Sequence, residues 1–509
     1  MRTPHFREAG AVSNVLGERL ARALDAFSKR DEEAALDCLL EAWRASGAQP
    51  LADVIQQLSD WRCAGLTPLD MSSWLYDFTR WHPLDIPRLL AGFVEDAKRM
   101  LPEAVQEGLE TLLRWPRDPR MIPPLLTLLQ MPVAEDAQVL KALCAALGHV
   151  GVRYDVQPLR EQRDRFAGRP RMAGWLEQAI HAGLSRQPPD VDAEPQAHCH
   201  ALQAAIVERA AVEQREAPTR EALLARIRAA PGDDEARRVL ADLLLAVGDP
   251  LGEFIALQYD PRADRARIAQ LLDANRVRWE AGLGSAVTRG WTRFERGFPV
   301  SVQLRGTGSR YGIAEPGPAW STVEEIDWNE GRVRAHWDAE DAEDWGQWLL
   351  HPHLRGVTRH QRVSPYIASL LTSSPLPLRH LGISKGYGTC DDALFDALAN
   401  LPRLSRLSLS DATALQVAAC AQSRLASRLE HFAAALEGEW SLTVRPGAGT
   451  PVQATLVSPS GARGLAEALR AAVPLGSRAL VLRGTGQLSS PAMAHLRAAA
   501  TTYARVEWL

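Results

Sequence analysis

Three segments in the first half of the chain repeat a short pattern at a nearly constant interval. They are Asp85-Ile86-Pro87-Arg88-Leu89-Leu90, Met121-Ile122-Pro123-Pro124-Leu125-Leu126 and Asp155-Val156-Gln157-Pro158-Leu159-Arg160. Ile86 and Ile122 are 36 residues apart, and Ile122 and Val156 are 34 apart. A second helical pattern follows each, at 103–113, 136–147 and 171–184. Proline near a helix start removes no hydrogen bond, because the first N–H groups of a helix have no partner within it. One helix pair of this size cannot bury its own apolar stripe; it does so by stacking on the next pair. The first half is therefore expected to be a stack of helix pairs.

This pattern resembles HEAT-type repeats. The best copy runs over 118–150, where Asp118-Pro119 opens one helix and Leu140, Leu143, Leu147 and Gly148 close the next. Helices expected at 18–27, 32–45 and 51–59 begin the stack. The resemblance implies an elongated face offered to another macromolecule. Trp43, Trp61, Trp74, Trp81 and Trp115 are read as filler between helices. A Pro/Asp-rich linker, 187–194, follows, then His198-Cys199-His200. Adjacent side chains on a helix diverge by about 100°, so these three do not form a zinc site.

A helix over 201–215 leads into 219–260, which divides into three short helices. Thr219 is the expected first cap, and Leu223, Leu224 and Ile227 form its apolar face. Pro231-Gly232-Asp233 makes a turn, and Val239, Leu240, Leu243, Leu244 and Val247 form the second apolar face. Gly248 stops that helix, and Asp249-Pro250 caps and starts the third, with Phe254, Ile255 and Leu257 inward. The blocks 229–234, 238–242 and 248–258 resemble the repeat-companion domain, a short bacterial module found beside leucine-rich and other repeats. Leu240 and Leu243 stand where that family has Tyr and Trp. The resemblance implies neighbouring repeats, and it carries no activity.

Beyond 283 the texture changes to short strand-like pieces. Alternation over 300–304 predicts a strand entered by a turn at Gly297. Leu378-x-x-Leu381-x-Ile383 and Leu404-x-x-Leu407-x-Leu409 lie 26 residues apart, and Leu354-x-x-Val357 begins 24 residues before the first. Val323-x-x-Ile326-x-Trp328 is a weaker copy. Leu480 and Leu482 precede Val506 and Trp508 by 26 residues, with a helix between. This spacing resembles the leucine-rich repeat. Ser384-Lys385 and Ser410-Asp411 replace the usual Asn, so the copies are degenerate. The stretch 442–456 is expected to be an inserted hairpin around Pro446-Gly447-Ala448-Gly449.

The resulting expectation is an all-α solenoid over 1–190, a linker and helical companion unit over 191–283, and a leucine-rich-repeat-like α/β region over 284–509. The candidate partner-binding residues are Trp320, Trp328, Trp337, Trp345 and Trp348, set among Asp338, Glu340, Asp341, Glu343 and Asp344. Exposed indoles ringed by acids can anchor a basic partner; the alternative is that they pack the join between repeats.

Composition narrows the function. A formal charge of −4 argues against a general polyanion binder. The six cysteines are widely spaced, which fits reduced thiols in a cytoplasmic protein. The chain has no phosphate loop: Arg305-Gly306-Thr307-Gly308 and Arg483-Gly484-Thr485-Gly486 lack its lysine and spacing. No catalytic, cofactor or metal residue is assigned. The expected activity is non-catalytic binding of another protein, as a scaffold or adaptor, with no membrane association. Alternatives are an immunity-type binder that neutralises a toxin, and a hydrolase or transferase with a His/Cys site near 351–390, a range that holds His351, His353, His360, His380 and Cys390. The last is nucleic-acid binding, by the helical stack or by Arg355, Arg359 and Arg362.

Overall fold

The computed structural model describes residues 5–509 apart from 67, 70–81, 186–191, 285, 305–314, 330–344, 374–375, 385–388, 446–450, 477–478, 485 and 487; for 5–15 only the backbone is described. The chain forms two compact units, 1–285 and 286–509. The first is helical and the second is α/β. The stretch 191–283 lies within the first unit.

The first unit begins with α1 (His5–Ser28), α2 (Glu32–Ser46) and α3 (Gln49–Cys63). Asp31 caps α2 by accepting from the Ala34 amide, and Gly47 ends it in the left-handed conformation. Three helix pairs follow. They are α4 (Asp85–Lys98) with α5 (Pro102–Leu112), α6 (Ile122–Gln130) with α7 (Ala137–Val150), and α8 (Gln157–Arg165) with α9 (Pro170–Leu184). First helices pack on first helices, α4 on α6 and α6 on α8; second helices pack on second, α5 on α7 and α7 on α9. One continuous apolar core runs through them, including Leu90, Phe93, Leu109, Leu125, Leu129, Leu143, Leu147, Leu159 and Leu176. Burying each such side chain contributes about 1.5–3 kcal/mol.

Asp118 and Arg120 form a buried ion pair in this core, at 2.6 Å. The same guanidinium donates to the Ser59 hydroxyl at 2.8 Å and to the Pro83 carbonyl at 2.6 Å, so it fastens α3 and the segment before α4 to the start of the second pair.

The helix expected over 201–215 and the one expected to start at Thr219 are a single helix, α10 (Ala193–Ala229). Thr219 is not a cap, and Pro218 lies inside the helix. An interior proline costs about 3 kcal/mol. Here the flanks are strong helix formers, and both ends are anchored, by Leu202 and Ile206 on one side and Ile227 on the other. Helix α10 packs against α1 and α3.

The rest of the companion-like stretch forms as its turn chemistry dictates. Asp233 caps α11 (Asp234–Ala246) through the Ala236 amide, and Asp249 caps α12 (Pro250–Tyr259) through the Leu251 amide. Gly248 joins them at φ +71°. Leu240 and Leu244 are buried, but Val239 is exposed; Arg237 takes the inward position instead and donates to the Pro231 carbonyl. Gly252 lets α12 approach α11: a Cβ there would lie 2.6 Å from the Leu245 nitrogen and 2.8 Å from the Ala241 oxygen. The unit closes with α13 (Arg265–Glu280), whose Arg267 holds Glu253 in a two-pronged pair at 2.7 Å.

Asp249 does more than cap. Its carboxylate is buried, with Arg278 at 3.2 Å and Arg220 at 3.9 Å. Burial pushes its pKa up, but Arg278, the Leu251 amide, Arg220 and Arg62 outweigh that and hold it below the usual carboxylate range.

The second unit is one sheet whose described strands follow sequence order. They are β1 (Arg293–Glu295), β2 (Phe298–Gln303), β3 (Glu325–Asp327), β4 (Arg359–Val363), β5 (His380–Ile383) and β6 (Arg406–Ser410). Then come β7 (His431–Leu436), β8 (Trp440–Val444), β9 (Val452–Leu456), β10 (Ala479–Arg483) and β11 (Arg505–Trp508). Strands β2 to β7 are mutually parallel, as are β9 to β11. Strand β8 runs antiparallel to both neighbours, which is the expected inserted hairpin; its central residues 446–450 lie outside the described residues. Between strands lie α14 (Pro365–Thr372), α15 (Asp392–Leu398), α16 (Ala414–Gln422), α17 (Ala462–Ala472) and α18 (Ser490–Ala500), each packed on the next. Parallel crossovers share one hand, so connections that always step to the next strand place their helices on one face.

Candidate interaction surface

The register of the sheet sorts its residues into rows. Val302, Ile326, His360, Leu381, Leu407 and Phe432 align across β2 to β7, and all are buried. Their neighbours Ser301, Glu325, Arg359, His380, Arg406 and His431 align one residue earlier and so project from the opposite face. None of these six is buried. The buried row faces the helices; the polar row faces away from them. Neighbouring strands lie about 4.8 Å apart, so Glu325 to His431 spans about 19 Å.

The row changes character along its length. At the β3 end Glu325 pairs with Arg359 at 3.1 Å, and Glu324 reaches the same guanidinium at 3.5 Å. From β5 onward no acid joins the row. Burial lowers the pKa of His380; Glu325 raises it, and Arg406, His431 and Arg359 push it down further. Burial also lowers His431, with Arg445 and Arg406 adding to the effect. Arg445 directly follows Val444, which pairs with Phe432, so it comes beside His431 across the β7–β8 ladder. Gln361 Nε2 lies 3.3 Å from His380 Nδ1 and orients that ring.

Beside this row the face is low. Gly382, Ser408, Ala433 and Thr443 align across β5 to β8, and Ser410, Ala435, Ser441 and Thr455 align across β6 to β9. A Cβ at Gly382 would lie 2.4 Å from Gln361 Oε1, so only glycine leaves that amide its place over the strand. A floor of small side chains thus adjoins a basic and imidazole rim. Such an arrangement can hold an anionic surface by shape and charge, with no reacting group required.

The tryptophans chosen from sequence lie elsewhere. Trp320, Trp328, Trp345 and Trp348 are all buried. Trp320 and Trp348 centroids are 5.2 Å apart, Trp345 and Trp348 5.3 Å, and Trp328 and Trp345 5.1 Å. They form an internal cluster, which corrects the expectation of exposed indoles: aromatic area of this size is worth more buried against other rings than ringed by water. Trp337 and its acidic neighbours at 338–344 lie outside the described residues.

His351 and His353 lie together, ring centroids 5.1 Å apart, and each of the histidines has its own partner. His360 is buried and accepts from Trp328 Nε1 at 2.9 Å, His353 meets the Ser321 hydroxyl at 2.9 Å, and His351 faces Glu315 at 3.3 Å. Burial pushes the Cys390 thiol up to about 12, with Asp391 adding to it, the opposite of an activated nucleophile. Arg359 and Arg362 are engaged by acids, Arg362 by Asp327 at 2.7 Å. Cys199 is buried, while His198 turns back to the Glu194 carbonyl. Among the described residues no group of three His, Cys, Asp or Glu side chains is placed to hold a metal. None of the described helices is long and apolar enough to cross a membrane.

Apolar spacing alone does not reveal the polar row. The signal was present one residue before each apolar anchor: Glu325, Arg359, His380, Arg406 and His431. Leu429-x-x-Phe432, 25 residues after Leu404, would have supplied the missing strand. Searches of protein-family models, curated proteins and solved structures find no match to this chain.

Proposed function

We propose that this chain is a non-catalytic protein-binding scaffold, with a HEAT-like helical solenoid, a repeat-companion segment and a leucine-rich-repeat-like region. The observation that carries this reading is the face of the second unit's sheet opposite its described helices, with its charged rim from Arg359 to His431 beside a floor of small residues. A sheet that needed that face for its core would fill it with apolar side chains; polar residues there leave it free for a partner. Stacking of first helices on first and second on second supports the solenoid reading of the first unit. Sequence-ordered parallel strands support the repeat reading of the second.

A photo-crosslinking amino acid placed at Ser408, on the sheet face, tests the assignment in the native host. A control at Leu415, an exposed residue of α16, reports the helix side. A discrete protein adduct from position 408 and none from 415 is the expected result. Equal labelling from both positions, or none from 408, refutes it.

A further inference from the structure

The chemistry of the rim narrows the class of partner, given that the sheet face is a docking surface. From the fifth strand onward the rim carries His380, Arg406, His431 and Arg445. Of the acids beside this group, Glu325 is paired with Arg359, while Glu430, exposed next to His431, accepts from the Ser405 hydroxyl at 3.3 Å and keeps its charge. Arg406 and Arg445 are exposed. Arg406 on β6 and Arg445 after β8 flank His431 about 10 Å apart, two fixed positive charges that an anionic ligand can bridge.

We propose that this rim binds an acidic helical segment of a partner protein, and that the two histidines make the affinity rise as pH falls. The spacing favours a helix. Its carboxylates at three- and four-residue steps lie about 4.5–6 Å apart along the axis, close to the strand spacing of about 4.8 Å. Alternate side chains of an extended segment lie about 6.6 Å apart and lose register across four strands. Ser408 and Ala433 leave room beside the rim for the helix backbone. Nucleic acid fits less well. Among the described residues the row and its floor present no Phe, Tyr or Trp for a base to stack on, and two arginines there, Arg406 and Arg445, are without an acidic partner.

The sign of the pH effect is set by the surroundings. His380 faces Arg359 and Gln361 on β4 and Arg406 and Ser408 on β6; His431 faces Arg406 on β6 and Arg445 after β8. In the free protein partial burial, with these arginines, disfavours the protonated rings; at His380 Glu325 acts the other way but is outweighed. A bound carboxylate favours protonation, so binding takes up protons. Affinity then climbs by up to about tenfold per pH unit for each proton taken up.

The test is calorimetric titration of the full chain with a synthetic helical peptide carrying Glu at every third or fourth position. Its Gln counterpart, its Lys counterpart and a single-stranded oligonucleotide complete the set. The Glu peptide is expected to bind at least about tenfold tighter than the Gln peptide, to tighten from about pH 8 to about pH 6, and to weaken with salt. The Arg406→Glu/Arg445→Glu variant is expected to lose the Glu peptide and gain the Lys peptide, a positive result that an unfolded variant cannot give. The His380→Gln/His431→Gln variant is expected to bind equally at both pH values. Equal binding of Glu and Gln peptides, or tighter binding of the oligonucleotide, overturns the proposal. If the crosslink from Ser408 to a host protein persists while the Glu peptide fails to bind, the acidic-helix proposal falls and the docking face stands. If that crosslink is absent, the docking face falls as well.

Discussion

Trp328 donates its indole N–H to Nδ1 of His360 across 2.9 Å, and that bond lets an imidazole take a place in the apolar ladder between Ile326 and Leu381. Accepting at Nδ1 puts the ring proton on Nε2. Burial lowers the pKa to about 3, so the ring stays neutral in the folded chain. The unfolded chain binds a proton near pH 6.5. The contribution to stability is therefore complete above about pH 6.5 and is lost at about 1.4 kcal/mol per unit as pH falls toward the folded value. His360→Leu is expected to cost about 1–3 kcal/mol at neutral pH, by stranding the Trp328 N–H, and to flatten the acid dependence. Urea unfolding followed by tryptophan emission at about pH 7 and about pH 5 measures both effects; a variant as acid-sensitive as the parent contradicts the assignment.

Gly252→Ala reverses a general rule. In a helix interior alanine is favoured over glycine by about 1 kcal/mol. Here the new Cβ meets the backbone of Leu245 and Ala241, which cannot move away. The expected result is a loss of about 1–3 kcal/mol on thermal or urea unfolding of the first unit. A stabilised variant would show that α11 and α12 do not approach this closely.

Asp249 separates capping from charge. Asp249→Asn keeps the acceptor for the Leu251 amide and loses the charge facing Arg278; Asp249→Ala loses both. Alanine is expected to cost more than asparagine by about 1 kcal/mol, the usual worth of a cap. Because the folded pKa is depressed, the carboxylate's contribution is present above the unfolded value of about 3.9 and disappears as pH falls through the lower folded one. The gap between wild type and Asn should therefore close in acid. Denaturant melts across that range would show it, and a gap independent of pH would rule out the charge as its cause.

Arg120→Met leaves Asp118 charged and buried, for an expected loss of about 3–5 kcal/mol. Adding Asp118→Asn removes the orphaned charge while keeping the acceptor for the residue 120 amide, and should recover part of that loss. A double-mutant cycle by chemical unfolding measures the coupling. Strictly additive losses would place the two groups outside one network.

The helix pairs of the first unit were legible because their prolines, caps and apolar spacing agree. Patterns at 103–113, 136–147 and 171–184 correspond to Pro102–Leu112, Ala137–Val150 and Pro170–Leu184. Thr219 misled because a good capping residue beside a proline is a local signal, and tertiary anchoring of both ends of α10 overrode it. In the second unit Leu381 and Leu407 marked their strands, but Val357 did not mark its own correctly. Strand β4 is Arg359–Val363, with His360 and Val363 inward; Val357 is buried two residues before it, and Leu354 belongs to the preceding 3-10 turn. A histidine in the buried row hides that strand from any apolar scan. The polar rim was hidden for a different reason: its residues share a row only through hydrogen-bond register between strands 21–34 residues apart.

The strands of the second unit lie in space in the order in which they occur in the chain. A nascent chain emerging from a ribosome therefore completes each ladder with the strand made just before it, and no described strand waits for a distant partner. Closing short loops in succession costs less entropy than pairing remote segments, so the unit can form progressively during synthesis. The same order makes length negotiable: an added strand with its connection, placed between two that already pair, would find a parallel neighbour on either side.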